Sequence, residues 1–565
     1  MNADVVFIHP PSIYDFRKRD IDPGPISDVV PSTPVFEMYP VGFVSMLNYL
    51  VQNGFNARIA NVAVRMVQSK KFDPVSYLRD LEAPIYGIDL HWLPHAHGAL
   101  NLARIVKNLH PNSYIVFGGY SSTYFRKEIM KNYPFVDFVL AGDFQEYGIY
   151  KLAETLIEGG SLSDVPGLVH RENGMIKEER PYDFRKGLEN VFFNYEVLLK
   201  NAIKYHDIKG HLPYADWLRN PEGFTLIERG CQLNCGFCGG SNFSYKNNFA
   251  INYQFRDPCR VVDEIELSQE ILGSPVFVVG DLALAGPKYY ERFFACLRDR
   301  RIDIPILTEY FKPFNEDYAR AISRSVVDFS MEISPETSDE SIRNWNKSGY
   351  SNEDLERSLR LAEKYGSKKF DVYFSIGLSH QDYGNVIDTV EYAGKLMKDF
   401  KGSRMKLSTF ISPIAPFVDP GSLWYEKSDL YGFNVLARSL AEIYHILDTG
   451  KTWYDFLDYE TQWMSREDIV NATYDAEIRM TQLRYDVGDI DRETRDTIIR
   501  NVQNYRHGNN YCKSNRVDKH LAYMSKDIEW SNKHKPTLTS LLILLYRSYE
   551  EVIGGMRIRG SEENS

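Results

Sequence analysis

The chain has 565 residues, more than one hydrophobic core supports, so three or four packed units are expected. With 43% hydrophobic and 25% charged residues it has the composition of a globular protein, not of a disordered one. The balance of 66 basic against 77 acidic residues, a net charge of -11, argues against nucleic-acid binding, which needs clustered Lys and Arg.

The opening MNADVVFIHPPS runs straight into a strand-like stretch with no basic start, so no secretory signal is expected and a cytoplasmic location is. The late apolar run 541–546 is far short of the roughly 20 residues of a membrane span. Residues 1–160 alternate β-branched runs (ADVVFIHPP, ARIANVAV, PIYGIDLHW, SYIVFGGYSS, VDFVLAGDF) with helical patterns near 41–55 and 97–109. That is the rhythm of a doubly wound parallel α/β sheet. Residues 161–220 read as a connector. From 221 to 425 six further strand candidates, GFTLIERG, PVFVVGDL, IPILTEYF, VVDFSMEIS, FDVYFSIGL and RMKLSTFIS, alternate with helices such as 258–271 and 352–365. They predict a partial (β/α)6 barrel with its chemistry at the strand C-terminal ends. Residues 426–565 read as a helical C-terminal domain, with helices expected at 435–447, 466–483, 492–505 and 538–553.

Three of the six cysteines, Cys231, Cys235 and Cys238, fall within eight positions. Thiolates bind soft metals and iron-sulfur clusters, and tight spacings of this kind wrap a short loop around a cubane. Three cysteines hold three irons, and Cys259, Cys296 and Cys512 show no companion spacing, so the fourth iron is left open to an outside ligand. Zinc would ask for a second Cys or His knuckle, and none is visible. No disulfide framework is expected.

The segment GFTLIERGCQLNCGFCGG resembles the signature of radical S-adenosylmethionine (SAM) enzymes. The resemblance implies a 4Fe-4S cluster on Cys231, Cys235 and Cys238, SAM chelating the open iron, and reductive cleavage to a 5'-deoxyadenosyl radical. It also implies SAM contacts from Phe237 and Gly239, from Gly280 and Asp281 after the second strand, from Glu332, Ser334 and Glu336 on the fourth, and from Ser375 and Gly377 on the fifth. The family's usual Gly-Gly-Glu is Val279-Gly280-Asp281 here, and helix capping is the competing role for such acids. Glu309, Lys312 and Tyr373 are further strand-end candidates for orienting substrate.

No Gly-x-Gly-x-x-Gly follows the first strand, which disfavours a dinucleotide site in the first domain. His9, Pro10 and Pro11 after that strand, Gly42 leading into a helix, Gly118 and Gly119 after the fourth strand, and Gly142, Asp143 and Glu146 resemble the cobalamin-binding domain of cobalamin-dependent radical SAM enzymes. The resemblance spans residues 1–425 and implies tail contacts from Gly118, Gly119, Ser121 and Ser122, with Tyr120 a further cobalamin contact. Asp89-x-His91 is similar to a cobalt-ligating motif of other B12 domains, but Pro94 stands at its glycine position and it follows the third strand. Cobalt ligation by His91 is therefore not inferred. His91, Trp92, His95 and His97 either line the corrin face or bond within a packed loop.

The combined resemblance implies a C-methyltransferase acting on an unactivated sp3 carbon and using an electron donor of ferredoxin or flavodoxin type. The DLHWLPHAHGAL segment and long C-terminal extension look like archaeal members, including glutamine C-methyltransferases acting on methyl-coenzyme M reductase. That implies a peptide or protein substrate. Ring contraction or cyclisation without methyl transfer, and a cobalamin or redox sensor with a structural cluster, stay open as alternatives.

Overall fold

The computed structural model describes residues 2–21, 35–143, 145–181, 188–249, 253–347, 349–414 and 416–506. The helix expected at 538–553, the apolar run 541–546 and Cys512 lie outside the described residues.

Strands β1 (Val5–His9), β2 (Ala57–Asn61), β3 (Ile85–Asp89), β4 (Tyr114–Gly118) and β5 (Phe138–Leu140) pair in parallel, and β6 (Leu168–Glu172) and β7 (Met175–Glu178) add antiparallel at one edge. The strand order is β2-β1-β3-β4-β5-β6-β7. β1, β2 and β3 are buried along their whole length, as expected for strands covered by helices on both faces. The order reverses beside β1, and ligands of such sheets collect outside the strand C-termini at that point. The sheet also reaches past residue 160: β6 and β7 fall within the stretch read as connector, because an antiparallel hairpin edge breaks the βα rhythm.

The second sheet starts with β8 (Gly223–Leu226). β9 (Glu228–Arg229) pairs antiparallel with β10 (Gln254–Phe255) just beyond it. β11 (Val276–Val279), β12 (Ile306–Tyr310), β13 (Phe329–Glu336), β14 (Lys369–Ile376) and β15 (Lys406–Pro413) complete six parallel strands in the order β15-β14-β13-β12-β11-β8. Along β11, and from 372 to 376 of β14, buried residues alternate with half-exposed ones. The buried set packs in the core against the barrel helices, and the half-exposed set faces the barrel lumen.

Helices Pro258–Ile271 and Asn352–Lys364 form where the sequence places them. Asp257 caps the first and a Ser351/Asp354 capping box opens the second, which explains their sharp starts. The expected helix at 435–447 forms later, as Leu440–Thr449 behind a Ser439/Glu442 capping box, because β16 (Phe433–Val435) pairs with β17 (Tyr459–Thr461). The C-terminal elements serve both domains. Leu440, Ile443 and Leu447 enter the core beside the first sheet, whereas Arg466–Val487 packs on Tyr383–Asp399 of the barrel. Cys259 and Cys296, unpaired in the sequence reading, join as a disulfide between two barrel helices, with Cα atoms 5.5 Å apart. Their 37-residue separation hides that pairing.

Candidate active site between two cofactor domains

The cysteine loop leaves β9 at Gly230, whose φ of 73° suits glycine. A Cβ there would lie 3.0 Å from the Tyr253 backbone. The loop is braced from several sides. Gly236 donates to the Asn346 carbonyl at 2.7 Å, Trp424 donates to the Gly236 carbonyl at 2.9 Å, and Gly239 donates to Asp419 Oδ2 at 3.0 Å. Phe237 packs edge-on to Trp424, with ring centroids 5.6 Å apart. Backbone N–H groups of Leu233 and Gly240 point at the sulfurs of Cys231 and Cys238, at 3.4 and 3.3 Å. Burial pushes all three thiols up, Cys231 to about 12. Such a site holds thiolates once a metal cation takes the place of the protons. Among the described residues no three His, Cys, Asp or Glu side chains converge as on a single metal ion. A cubane takes one thiol per iron instead.

At the barrel mouth Asp281 caps a short helix through Leu284 N–H and also accepts from Phe311 N–H, both at 2.8 Å. Its carboxylate is committed to the backbone, in the helix-capping role. Gly280, at φ 107°, donates to Glu309 Oε1 at 2.5 Å. Register sets Glu309 beside Glu332 and Glu332 beside Asp371. Three carboxyls on adjacent strands of one lumen are an electrostatic cost unless protons or donors reach them. Burial accordingly raises Glu309 to about 7 and Glu332 well above the usual carboxylate range. Glu228, in the quoted signature but not among the candidate contacts, is raised to about 8 by burial and by Asp281 and Glu309. Glu336 accepts from Ser375 Oγ at 2.5 Å and lies 3.6 Å from buried Lys347, whose Nζ donates to the Ser334 carbonyl. Gly377 has φ 92°, and a Cβ on it would strike the Tyr459 hydroxyl at 2.8 Å. Tyr373 stacks on Phe410, and Lys312 opens instead onto a side pocket shared with Asp281.

A cleft lies at the switch point of the first sheet. It is lined by Gly42, His91, Gly118, Gly119, Tyr120, Gly142, Asp143 and Glu146 from the candidate set. Nothing lies within 4 Å of where a Gly118 Cβ would be, so the floor there is bare backbone. The other candidates stand behind the wall. His9 is fully buried, with Nδ1 2.9 Å from Asp89 Oδ2 and Nε2 3.1 Å from the Phe36 carbonyl. His95, also fully buried, bonds the same carbonyl at 2.9 Å, and Trp92 stacks on Phe36. His97 pairs with Asp448 at 3.2 Å. Pro10 and Pro11 press on Gly98, where a Cβ would lie 1.7 Å from the Pro11 carbonyl oxygen. Ser121 and Ser122 turn their hydroxyls back to the His91 and Gly119 carbonyls. His91 itself is held by its own N–H, which donates to Asp89 Oδ1 at 2.8 Å. Burial keeps its imidazole neutral.

Three wall residues outside the sequence candidates, Arg229, Tyr245 and Phe249, come from the segment that carries or follows the cysteines. Arg229 Nη1 donates to Asp143 Oδ1 at 2.7 Å, and the Tyr245 hydroxyl donates to Asp143 Oδ2 at 3.1 Å. Only their place beside the cysteines could have pointed to them.

Residues 226–393 match the radical SAM superfamily and residues 28–147 match the B12 binding domain. The chain joins a B12 binding domain to a radical SAM domain. It is 23% identical over 307 residues to an uncharacterized methyltransferase of Pyrococcus horikoshii, covering 54% of this chain and 62% of that one. It is 23% identical over 256 residues to the hopanoid C-3 methylase of Methylococcus capsulatus, covering 44% of each. The chain thus spans less than two thirds of the length of these curated relatives. The radical SAM methyltransferase TsrM of Kitasatospora setae, solved with cobalamin and a [4Fe-4S] cluster bound, shares its fold at TM-score 0.57 and 14% identity, over 93% of this chain and 99% of that one. The cobalamin-dependent SAM radical enzyme OxsB shares it at 0.53 and 12%, over 97% and 84%.

A radical SAM domain takes a 4Fe-4S cluster and SAM, and a B12 domain takes cobalamin. The residues fit both groups: three buried thiols with backbone N–H groups aimed at two of the sulfurs, and a cleft whose floor lacks side chains at Gly118. Among the described residues no helix is long and apolar enough to cross a membrane.

Proposed function

We propose that the chain is a cobalamin-dependent radical SAM C-methyltransferase acting on an unactivated sp3 carbon. The observation that carries this reading is a shared wall: Arg229 and Tyr245, which bracket the cysteine loop, also line the glycine-floored cleft. Together the cluster with SAM supplies one-electron activation of a C–H bond, and cobalamin supplies a transferable methyl group. The chain's own work is to hold the two sites at a fixed separation around one substrate carbon and to keep water away. An electron donor of ferredoxin or flavodoxin type would feed the cluster.

The lumen favours an amide-bearing substrate. Glu309, near half-protonated at neutral pH, can donate to an amide oxygen when protonated and accept from an amide N–H when ionised. That supports a peptide or protein substrate. The finer reading, the α-carbon of a glutamine in methyl-coenzyme M reductase, draws on the resemblance of the DLHWLPHAHGAL segment to archaeal members.

The test is anaerobic incubation with SAM, methylcobalamin, a reductant and glutamine-containing peptides, read by mass spectrometry. A gain of one methylene unit on the peptide is expected. An unchanged or hydrogen-depleted product would overturn methylation in favour of cyclisation or ring contraction, and failure of the reduced protein to cleave SAM would leave the sensor reading.

A further inference from the structure

We propose that the Asp143 carboxylate is a clasp through which occupancy of the corrin cleft and the geometry of the cysteine loop control each other. The segment 229–245 carries all three clustered cysteines, and both of its ends are tied to this one side chain of the other domain. Arg229, two residues before Cys231, takes one carboxylate oxygen, and Tyr245, seven residues after Cys238, takes the other. Asp143 follows Gly142, whose φ of 110° turns the chain at the cleft edge.

The clasp is largely shielded from solvent. The Arg229 side chain is 19% exposed, Asp143 13%, and Glu146, which accepts a second guanidinium contact at 3.4 Å, only 2%. Charge-assisted bonds in such surroundings are strong and directional, so the three side chains share one arrangement. Tyr120 adds a parallel tie: its hydroxyl bonds Ser244, the neighbour of Tyr245, and donates to the Pro420 carbonyl at 3.0 Å.

A ligand filling the cleft touches Asp143, Arg229 and Tyr245 and favours one arrangement of them. That same arrangement sets where the cysteine loop begins and ends. Two ligands that prefer the same state of a shared element bind with positive coupling, and the factor must be equal in both directions. Asp143, Arg229 and Tyr245 are therefore positioning residues that make loading of the two halves mutual. This rests on the two-cofactor reading of the chain but not on methyl transfer.

The experiment uses the full chain with its cluster reconstituted, under anaerobic conditions. Hydroxocobalamin is titrated by visible absorbance with and without saturating SAM, and SAM is titrated by the electron paramagnetic resonance signal of the reduced cluster with and without cobalamin. In the wild type each ligand should tighten the other by about fivefold or more, equally in both directions. Y245F, which removes one hydroxyl, and R229Q should lower the factor to below about twofold while iron and cobalamin still load, and R229K should retain part of it. A factor unchanged in Y245F and R229Q, or no mutual effect in the wild type, overturns the clasp. If R229Q loads poorly, Y245F decides alone. Neither readout requires a methylated product, so failure of the methyltransferase reading is separately visible.

Discussion

A Cβ on Gly119 would sit 2.5 Å from the Cα of His91, whereas one on its neighbour Gly118 would meet nothing within 4 Å. The two glycines serve different ends. Gly119, at φ 105°, lets the turn after β4 pass against the turn after β3. Gly118 leaves the cleft floor bare. Gly119→Ala should cost about 2 kcal/mol or more of stability, from the strained φ and the clash with backbone, seen as a lowered Tm. Gly118→Val should fold normally and keep its iron, but bind cobalamin at least about tenfold more weakly, because the added methyls occupy the floor. Equal cobalamin affinity in Gly118→Val would show that the corrin does not rest there.

Cys235→Ala removes one of the three thiols assigned to the cluster. The reconstituted variant should lose most of its iron and the signal of the reduced cluster. Cobalamin should still bind, since no cysteine lines the cleft. Retention of a full cluster in this variant would contradict the assignment.

The buried histidines behind the cleft make stability depend on pH. Burial pushes His95 down to about 3 and His97 to about 4. Both are neutral in the folded chain, whereas the unfolded chain takes protons near 6.5. The unfolded state therefore binds more protons below that pH, so their stabilisation is complete above about 6.5 and drains as pH falls toward 4. The lumen acids run the other way: Glu309 and Glu228, raised to about 7 and 8, contribute fully only below their unfolded values near 4.5, and that contribution is lost as pH rises through 7 to 8. Thermal melts from pH 8 to 4 should show the acid limb, and His95→Gln should flatten it.

The Cys259–Cys296 link predicts that two thiols of the unreduced chain resist alkylation and become reactive on reduction. Closing a loop of this size restricts the unfolded chain by on the order of 3–4 kcal/mol, so reduction should lower Tm without loss of cobalamin. Peptide mapping of the alkylated protein checks the pairing. Alkylation of both positions before reduction would refute it.

The doubly wound sheet and the six barrel strands were legible because their signals are local: buried β-branched runs separated by helical periodicity. β6 and β7 were not, since an edge hairpin with the pattern VHRENGMIKE carries few apolar residues. Histidine spacing misled for a related reason. His91, His95 and His97 lie close in sequence, yet one faces the cleft and two turn inward, because a short 3-10 turn at Leu93–His95 precedes the helix Ala96–Leu109. Asp281 and Glu336 carry no sign in the sequence of whether they cap, pair or wait for a ligand.

The sequence by itself determined that three thiols share one short loop, because residues within eight positions stay close whatever surrounds them. Glycines at strand ends marked the sheet edge as a candidate ligand site. Only the tertiary structure decided which side chains border both sites. Arg229 and Asp143 are 86 residues apart and meet because two domains pack, and a contact made by packing leaves no periodicity or spacing in the chain. The same holds for the carboxyl ladder of Glu309, Glu332 and Asp371, which exists only through the register of three parallel strands.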